Sequence, residues 1–241
     1  MVELKAILNE LRASANPRNV EGMARYGINP KNNYGNSISS LRKMSSEIGK
    51  DHELAMLLWD SGIHDARLLA TLVGEPEKMT EEQAEIMVGG IDSWDVCDAF
   101  CMWLMRYTPF AYRKATEWSE SEMEFERRAA FSLIASLAIL DKNAPDSKFA
   151  SLLPLIERAS SDERNYVKKA VNWALRGIGK RNLALNKAAI AAAKRILAID
   201  AKSSRWIARD ALRELEGEKV RAMLEKKAQR LAKSRSRARR A

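Results

Sequence analysis

Apolar residues recur at three- and four-residue intervals along nearly the whole chain, and this period restricts the fold more than any other feature. In "KKAVNWALRGIGKR" (168–181) a rotation of about 100° per residue places Ala170, Val171, Ala174, Leu175 and Ile178 on one stripe, continued backwards by Val167. No long alternating run argues for strands. Proline is sparse and falls mostly at joints, at Pro76, Pro109, Pro145 and Pro154. The pattern predicts helices near 37–49, 51–60, 64–73, 80–89, 93–106, 120–140, 147–159, 162–179, 186–199 and 203–215. Side chains that accept from backbone N–H groups mark helix starts: Ser93 before Trp94, Asn186 before an alanine-rich helix, and Ser203 or Ser204 before the last. The expected class is all-α.

The helices carry a faint repeat. "RRAAFSLIASL" (127–137) aligns with "KKAVNWALRGI" (168–178) at an offset of 41, and "ALRGIG" (174–179) with "ALRELEG" (211–217) at 37. Such spacing suits helix-pair repeats of the HEAT type, which stack into a solenoid with a concave face. An irregular helical bundle is the alternative these two matches leave open. Residues 1–218 are expected to form a single repeat domain. Residues 219–241 form a basic C-terminal extension that begins helical and ends in "SRSRARRA", which reads as disordered.

Charge is unevenly placed. The 241 residues carry a net charge of +9, and 46% are apolar, a globular composition. Residues 1–163 hold 18 basic and 26 acidic side chains, 164–213 hold 13 and 2, and 219–241 hold 10 and 1. Two basic features, one folded and one terminal, predict a polyanion partner. A run of about 20 uncharged apolar residues is lacking, which argues against a membrane span, and "MVELKAILNELRAS" has no signal-peptide core. The expected location is cytoplasmic, on the nucleoid if the polyanion is DNA, and the expected state is monomeric. Cys97 and Cys101 read as buried thiols and His52 and His64 as surface or interhelix residues, so neither metal nor cofactor is expected. P-loop, Ser-His-Asp order and dinucleotide fingerprint are all missing.

Two constellations invite chemistry. Trp173 lies off the apolar stripe, within about 60° of Lys169, Arg176 and Lys180 on the helical wheel. It either packs beneath a neighbouring repeat or offers its face to a base or sugar while the cations hold phosphates. Arg205, Arg209 and Arg213 repeat the pattern beside Trp206. In "DSWDVCDAFCMW" (92–103), Trp94 and Asp98 are four residues apart and share a face. Asp92 and Asp95 fall at the helix start, where carboxylates complement the dipole. Asp98 lies past the first turn. It reads as an interhelical bridge, or as a carboxylate that steadies a developing cation and positions a water.

The segments "LLWDSGIHDARLLATLV", "DSWDVCD", "FERRAAFSLIA" and "VKKAVNWALRGIGKR" together resemble the AlkD-like family of DNA alkylation-repair proteins, over roughly residues 30–215. The resemblance implies a HEAT-like solenoid with a concave basic groove around duplex DNA. It implies a metal-independent N-glycosylase, a hydrolase that removes purines alkylated at N3 or N7. The essential aspartate corresponds to Asp98, the two groove tryptophans to Trp94 and Trp173, and the groove arginine to Arg128, with Arg127 as the alternative. Tyr26, Gly27 and Tyr34 fall where members of the family approach the lesion. Lys169, Arg176, Lys180, Arg205, Arg209 and Arg213 are then the expected phosphate contacts. Two rivals are a non-catalytic HEAT-like module for damaged or branched DNA and a protein-scaffolding solenoid. The basic stripes of 164–213 argue against the scaffold.

Overall fold

The structure, a computed structural model, describes residues 4–238, all helix and loop with no strand among them. It resolves into two compact units, 1–114 and 115–241. No helix among the described residues is long and apolar enough to cross a membrane.

The first unit holds α1 (Leu4–Ala13), α2 (Pro17–Arg25), α3 (Ile38–Ile48), α4 (His52–Asp60), α5 (His64–Val73), α6 (Glu81–Gly89) and α7 (Trp94–Ala99), and the start of α8 (Ala111–Trp118). Local chemistry sets the helix starts. Asn16, Ser37 and Asp51 accept backbone N–H bonds, and Thr80 and Gln83 form a reciprocal capping box. Helix α5 is the hub: Ala66, Leu68, Leu69, Ala70 and Val73 are buried, and it packs against α3, α4 and α7. Each fully buried leucine contributes about 1.5–3 kcal/mol relative to exposure. Between α2 and α3, residues 26–37 form a strap rich in Asn and Gly, with positive φ at Gly27, Asn32 and Gly35. At Gly35 a Cβ would lie 2.5 Å from the Asn16 carbonyl oxygen, so only glycine fits.

The second unit holds α9 (Glu124–Leu140), α10 (Asp146–Ala150), α11 (Leu153–Ala159), α12 (Asn165–Gly179), α13 (Leu183–Leu197), α14 (Lys202–Leu215) and α15 (Glu218–Ala238). Helix α9 is buried from Arg128 to Ala138 and packs along α12. The two helices meet at Gly177, where a Cβ would make ordinary van der Waals contact with the Ala135 backbone at 3.6 Å. The predicted apolar stripe of α12 is the buried one, from Val167 to Ile178.

Several boundaries differ from expectation, each for a physical reason. The helix expected over 93–106 is α-helical only to Ala99, then widens into a π turn (Phe100–Leu104) and a 3-10 turn (Met105–Tyr107). Gly74 admits Leu104 there, since a Cβ would meet its methyl groups at 3.1 and 3.2 Å. The 147–159 helix breaks in two, with Pro154 in the first turn of its second half. Asn182, not Asn186, caps α13. Asn186 instead donates to the last carbonyls of α12 and α14, Gly179 at 3.0 Å and Leu215 at 3.3 Å. Ser203 and Ser204 are buried inside α14 rather than opening it, and the Glu163 carboxylate accepts the Ser203 N–H at 3.0 Å from outside. That bond outweighs desolvation and holds the Glu163 carboxyl below its usual range. The terminal segment expected to be disordered has a helical backbone through Ala238, and residues 239–241 lie outside the described residues.

Candidate nucleic-acid interface

In the first unit, Trp94 and Asp98 stand one turn apart on α7, both half-buried. Three tethers fix the start of this helix. His64 Nε2 lies 2.9 Å from Asp95 Oδ2, tying α7 to α5. Ser93 donates to Asp95 at 2.6 Å and accepts the Asn29 N–H at 3.3 Å. Asn29 donates to Asp92 at 2.8 Å, and Arg67 pairs with Asp92 at 3.3 Å. Burial pushes the Asp95 carboxyl up, but the bonds from His64, Ser93 and the Val96 N–H prevail and hold it below the usual carboxylate range. Asp92 and Asp95 are therefore structural, tied to the strap and to α5 as well as to the helix start. His64 and His52 are both buried between helices, and His52 Nε2 meets Gln83 Oε1 at 3.1 Å. Cys97 and Cys101 are buried and form no disulfide.

The strap also orients the indole. Trp94 Nε1–H donates to the Tyr26 carbonyl at 3.1 Å, and Tyr26 itself is 79% exposed. The strap in turn hangs on Asp65, which is buried on α5 and accepts the N–H groups of Tyr34 and Asn36, both at 2.7 Å. Asp65 was not among the residues the sequence singled out. The turn-forming Asn and Gly residues of 26–37 were the available signal for a shaped loop.

In the second unit, Arg128 of α9 is buried and donates to the Tyr166 carbonyl at 2.7 Å. Arg127 is more exposed and pairs with Asp162 at 3.3 Å. On α12, Lys169 is exposed and Trp173 half-buried. Arg176 and Lys180 both reach Glu214 of α14, at 2.5 and 2.7 Å. Burial raises the Glu214 carboxyl, yet Lys180 and Arg176 together hold it below its ordinary value. Asn172 donates to Asp210 at 2.7 Å, and Arg213 also pairs with Asp210. Two of the cations expected around Trp173 are thus engaged with an acidic side chain 34–38 residues on.

Arg205, Arg209 and Arg213 are brought together as expected. With Lys202, Trp206 and Asp210 they line a cavity of about 410 Å³. Trp206 is 42% exposed, and the Lys168 ammonium lies 5.4 Å from its ring centroid. Arg205 pairs with Asp200 at 2.7 Å, while Arg209 has no ion-pair partner among the described residues. The cavity presents cations and an indole face, which suits phosphate and base or sugar. Among the described residues no group of three or more His, Cys, Asp or Glu is placed to hold a metal ion.

Comparison with known proteins places this architecture. The chain is 25% identical over 200 residues to the uncharacterized protein Lin0241 of Listeria innocua serovar 6a, covering 81% of this chain and 87% of that one. A solved structure covers 88% of this chain and 95% of its own at a TM-score of 0.73 and 20% identity. It is described as a new family of proteins related to the HEAT-like repeat DNA glycosylases with affinity for branched DNA structures. That likeness establishes the fold as a HEAT-like helical repeat. The model of the family described as DNA alkylation repair enzyme matches residues 7–215, so the chain belongs to the DNA alkylation repair enzyme family.

Proposed function

We propose that this protein is a DNA glycosylase that hydrolyses the N-glycosidic bond of N3- or N7-alkylated purines in duplex DNA. The observation that carries this reading is Asp98 one turn from Trp94 on a helix pinned at its start by His64–Asp95, Asn29–Asp92 and the Tyr26 carbonyl. A carboxylate and an indole held on a rigid helix can act with little reorganisation. Alkylation at N3 or N7 makes the purine cationic and a good leaving group. The glycosidic bond then breaks towards an oxocarbenium-like sugar, which the Asp98 carboxylate stabilises. Water adds at C1′, Asp98 takes the proton released, and the alkylated purine departs neutral. The indole face of Trp94 favours the cationic nucleotide. The second unit supplies Trp173, Arg128 and the basic cavity on α14, whose role is to hold DNA through phosphates. The active species in this reading is a monomer acting on the nucleoid.

The test is base release from a duplex carrying one 7-methylguanine, followed by alkaline cleavage, for wild type and Asp98→Asn. Wild-type release reduced by about 10²–10³ in the variant supports the reading, the range for loss of one preorganised electrostatic group. Equal release by both proteins removes Asp98 from the mechanism.

A second reading draws on the solved relative described by its affinity for branched DNA. Here the protein binds damaged or branched DNA without excision. Salt-sensitive DNA binding with no wild-type release selects it.

A further inference from the structure

A second cavity, of about 720 Å³, lies in the first unit and belongs to none of the groups described above. Its size is that of a small-molecule or single-nucleotide site. Arg42 of α3, Lys50, Trp103, Arg106 and Tyr107 line it. Met102 and Arg106, both in the lining, follow Asp98 at four-residue steps along the run that begins at Trp94. The cavity therefore sits at the far end of the helical run that bears Trp94 and Asp98. Its wall includes part of the π turn, and π turns concentrate at functional sites.

The lining chemistry narrows the ligand. The Arg42 guanidinium lies 5.3 Å from the Trp103 ring centroid and that of Arg106 3.7 Å from the Tyr107 centroid. Two aromatic rings and two guanidinium groups thus line one space, and a plane of either kind left uncovered by its partner can stack on a base. The cations have donors to spare. Lys50 Nζ donates to the carbonyls of Leu72 and Gly74 at 2.8 and 2.9 Å, which leaves one proton. Arg106 donates from Nε to the Met102 carbonyl at 2.6 Å and also to the Tyr107 hydroxyl. The Arg42 guanidinium has no hydrogen-bond partner among the described residues. Of the acidic groups nearby, Glu75 is committed to Lys78 at 2.9 Å and Glu77 is exposed.

We propose that this cavity takes one unpaired deoxynucleotide of DNA, with its base against Trp103 and Tyr107 and its phosphate against Arg42, Lys50 and Arg106. The proposal rests on the DNA-binding part of the reading above. A base pair buries its faces in the duplex stack, whereas an unpaired nucleotide offers a face to these planes. An acidic peptide would satisfy the cations but leave the aromatic planes unused.

The test uses the full chain and fluorescence anisotropy. One probe is a plain labelled duplex, and the other is the same duplex with a short 5′ dT flap. Stacking of one base predicts that wild type binds the flapped probe about tenfold more tightly. Arg42→Ala and Trp103→Ala should each abolish this preference and leave plain-duplex affinity within about twofold. Arg42 is exposed, so its variant decides the matter even if Trp103→Ala fails to fold. Equal wild-type binding of the two probes, or a preference that survives Arg42→Ala, overturns the proposal. Failure to bind even the plain duplex in a salt-dependent way overturns the DNA reading itself, and this proposal with it.

Discussion

Asp65→Asn is the sharpest test of how the strap is held. Asp65 is 1% exposed, and its two carboxylate oxygens each accept one backbone N–H at 2.7 Å, from Tyr34 and Asn36. Asparagine has nearly the same shape but only one acceptor oxygen. Either flip of the amide sets its NH₂ against a backbone N–H, and the Asn36 site is buried. One hydrogen bond to a charged group is lost, worth about 1.5–3 kcal/mol, and the stranded donor adds its desolvation. Because the two overlap as the cost of one unsatisfied buried donor, the loss is about 3 kcal/mol, the upper end of that range. With a urea m-value of about 2–3 kcal/mol/M, the unfolding midpoint should fall by about 1–1.5 M. Urea titration followed by circular dichroism measures this, and hydrogen exchange should show lost protection at the amides of 34 and 36. A midpoint shift below about 0.2 M at unchanged m would refute the reasoning, because the carboxylate would then not be what anchors the strap.

Two further outcomes follow from the ion pairs. The Asp95 carboxyl is held below its ordinary value in the folded chain, so near pH 4 the unfolded chain binds more protons. Its stabilising contribution is complete above the ordinary carboxylate range and is lost as pH falls through the folded value. Urea midpoints of wild type should drop between about pH 5 and pH 3, and Asp95→Asn should flatten part of that drop; parallel curves would exclude the linkage. Glu214→Gln releases Arg176 and Lys180 from their shared partner. DNA affinity should rise, and the slope of log K against log salt should steepen by up to about 2, close to 0.9 per phosphate newly neutralised. An unchanged slope would show that these cations do not reach DNA.

Much of the architecture was legible in the sequence. The three- and four-residue period specified an all-helical chain, and the apolar stripe of α12 is the face that is buried. The surplus of basic residues in 164–213 marked Arg205, Arg209 and Arg213, which line one cavity. The spacing of Trp94 and Asp98 put them one turn apart. These features are local: a helix fixes the angle between residues three and four apart whatever lies around it. What tertiary structure alone decided is which partner each polar group meets. Trp94 finds a carbonyl 68 residues earlier, Arg176 and Lys180 find Glu214, and Asn186 serves the ends of two helices instead of starting its own. Helical period carries no information about such pairs, because they depend on where separate helices pack. The cavity at Trp103 has the same origin. Arg42 and Trp103 lie on different helical segments, and only packing against α5 sets them face to face.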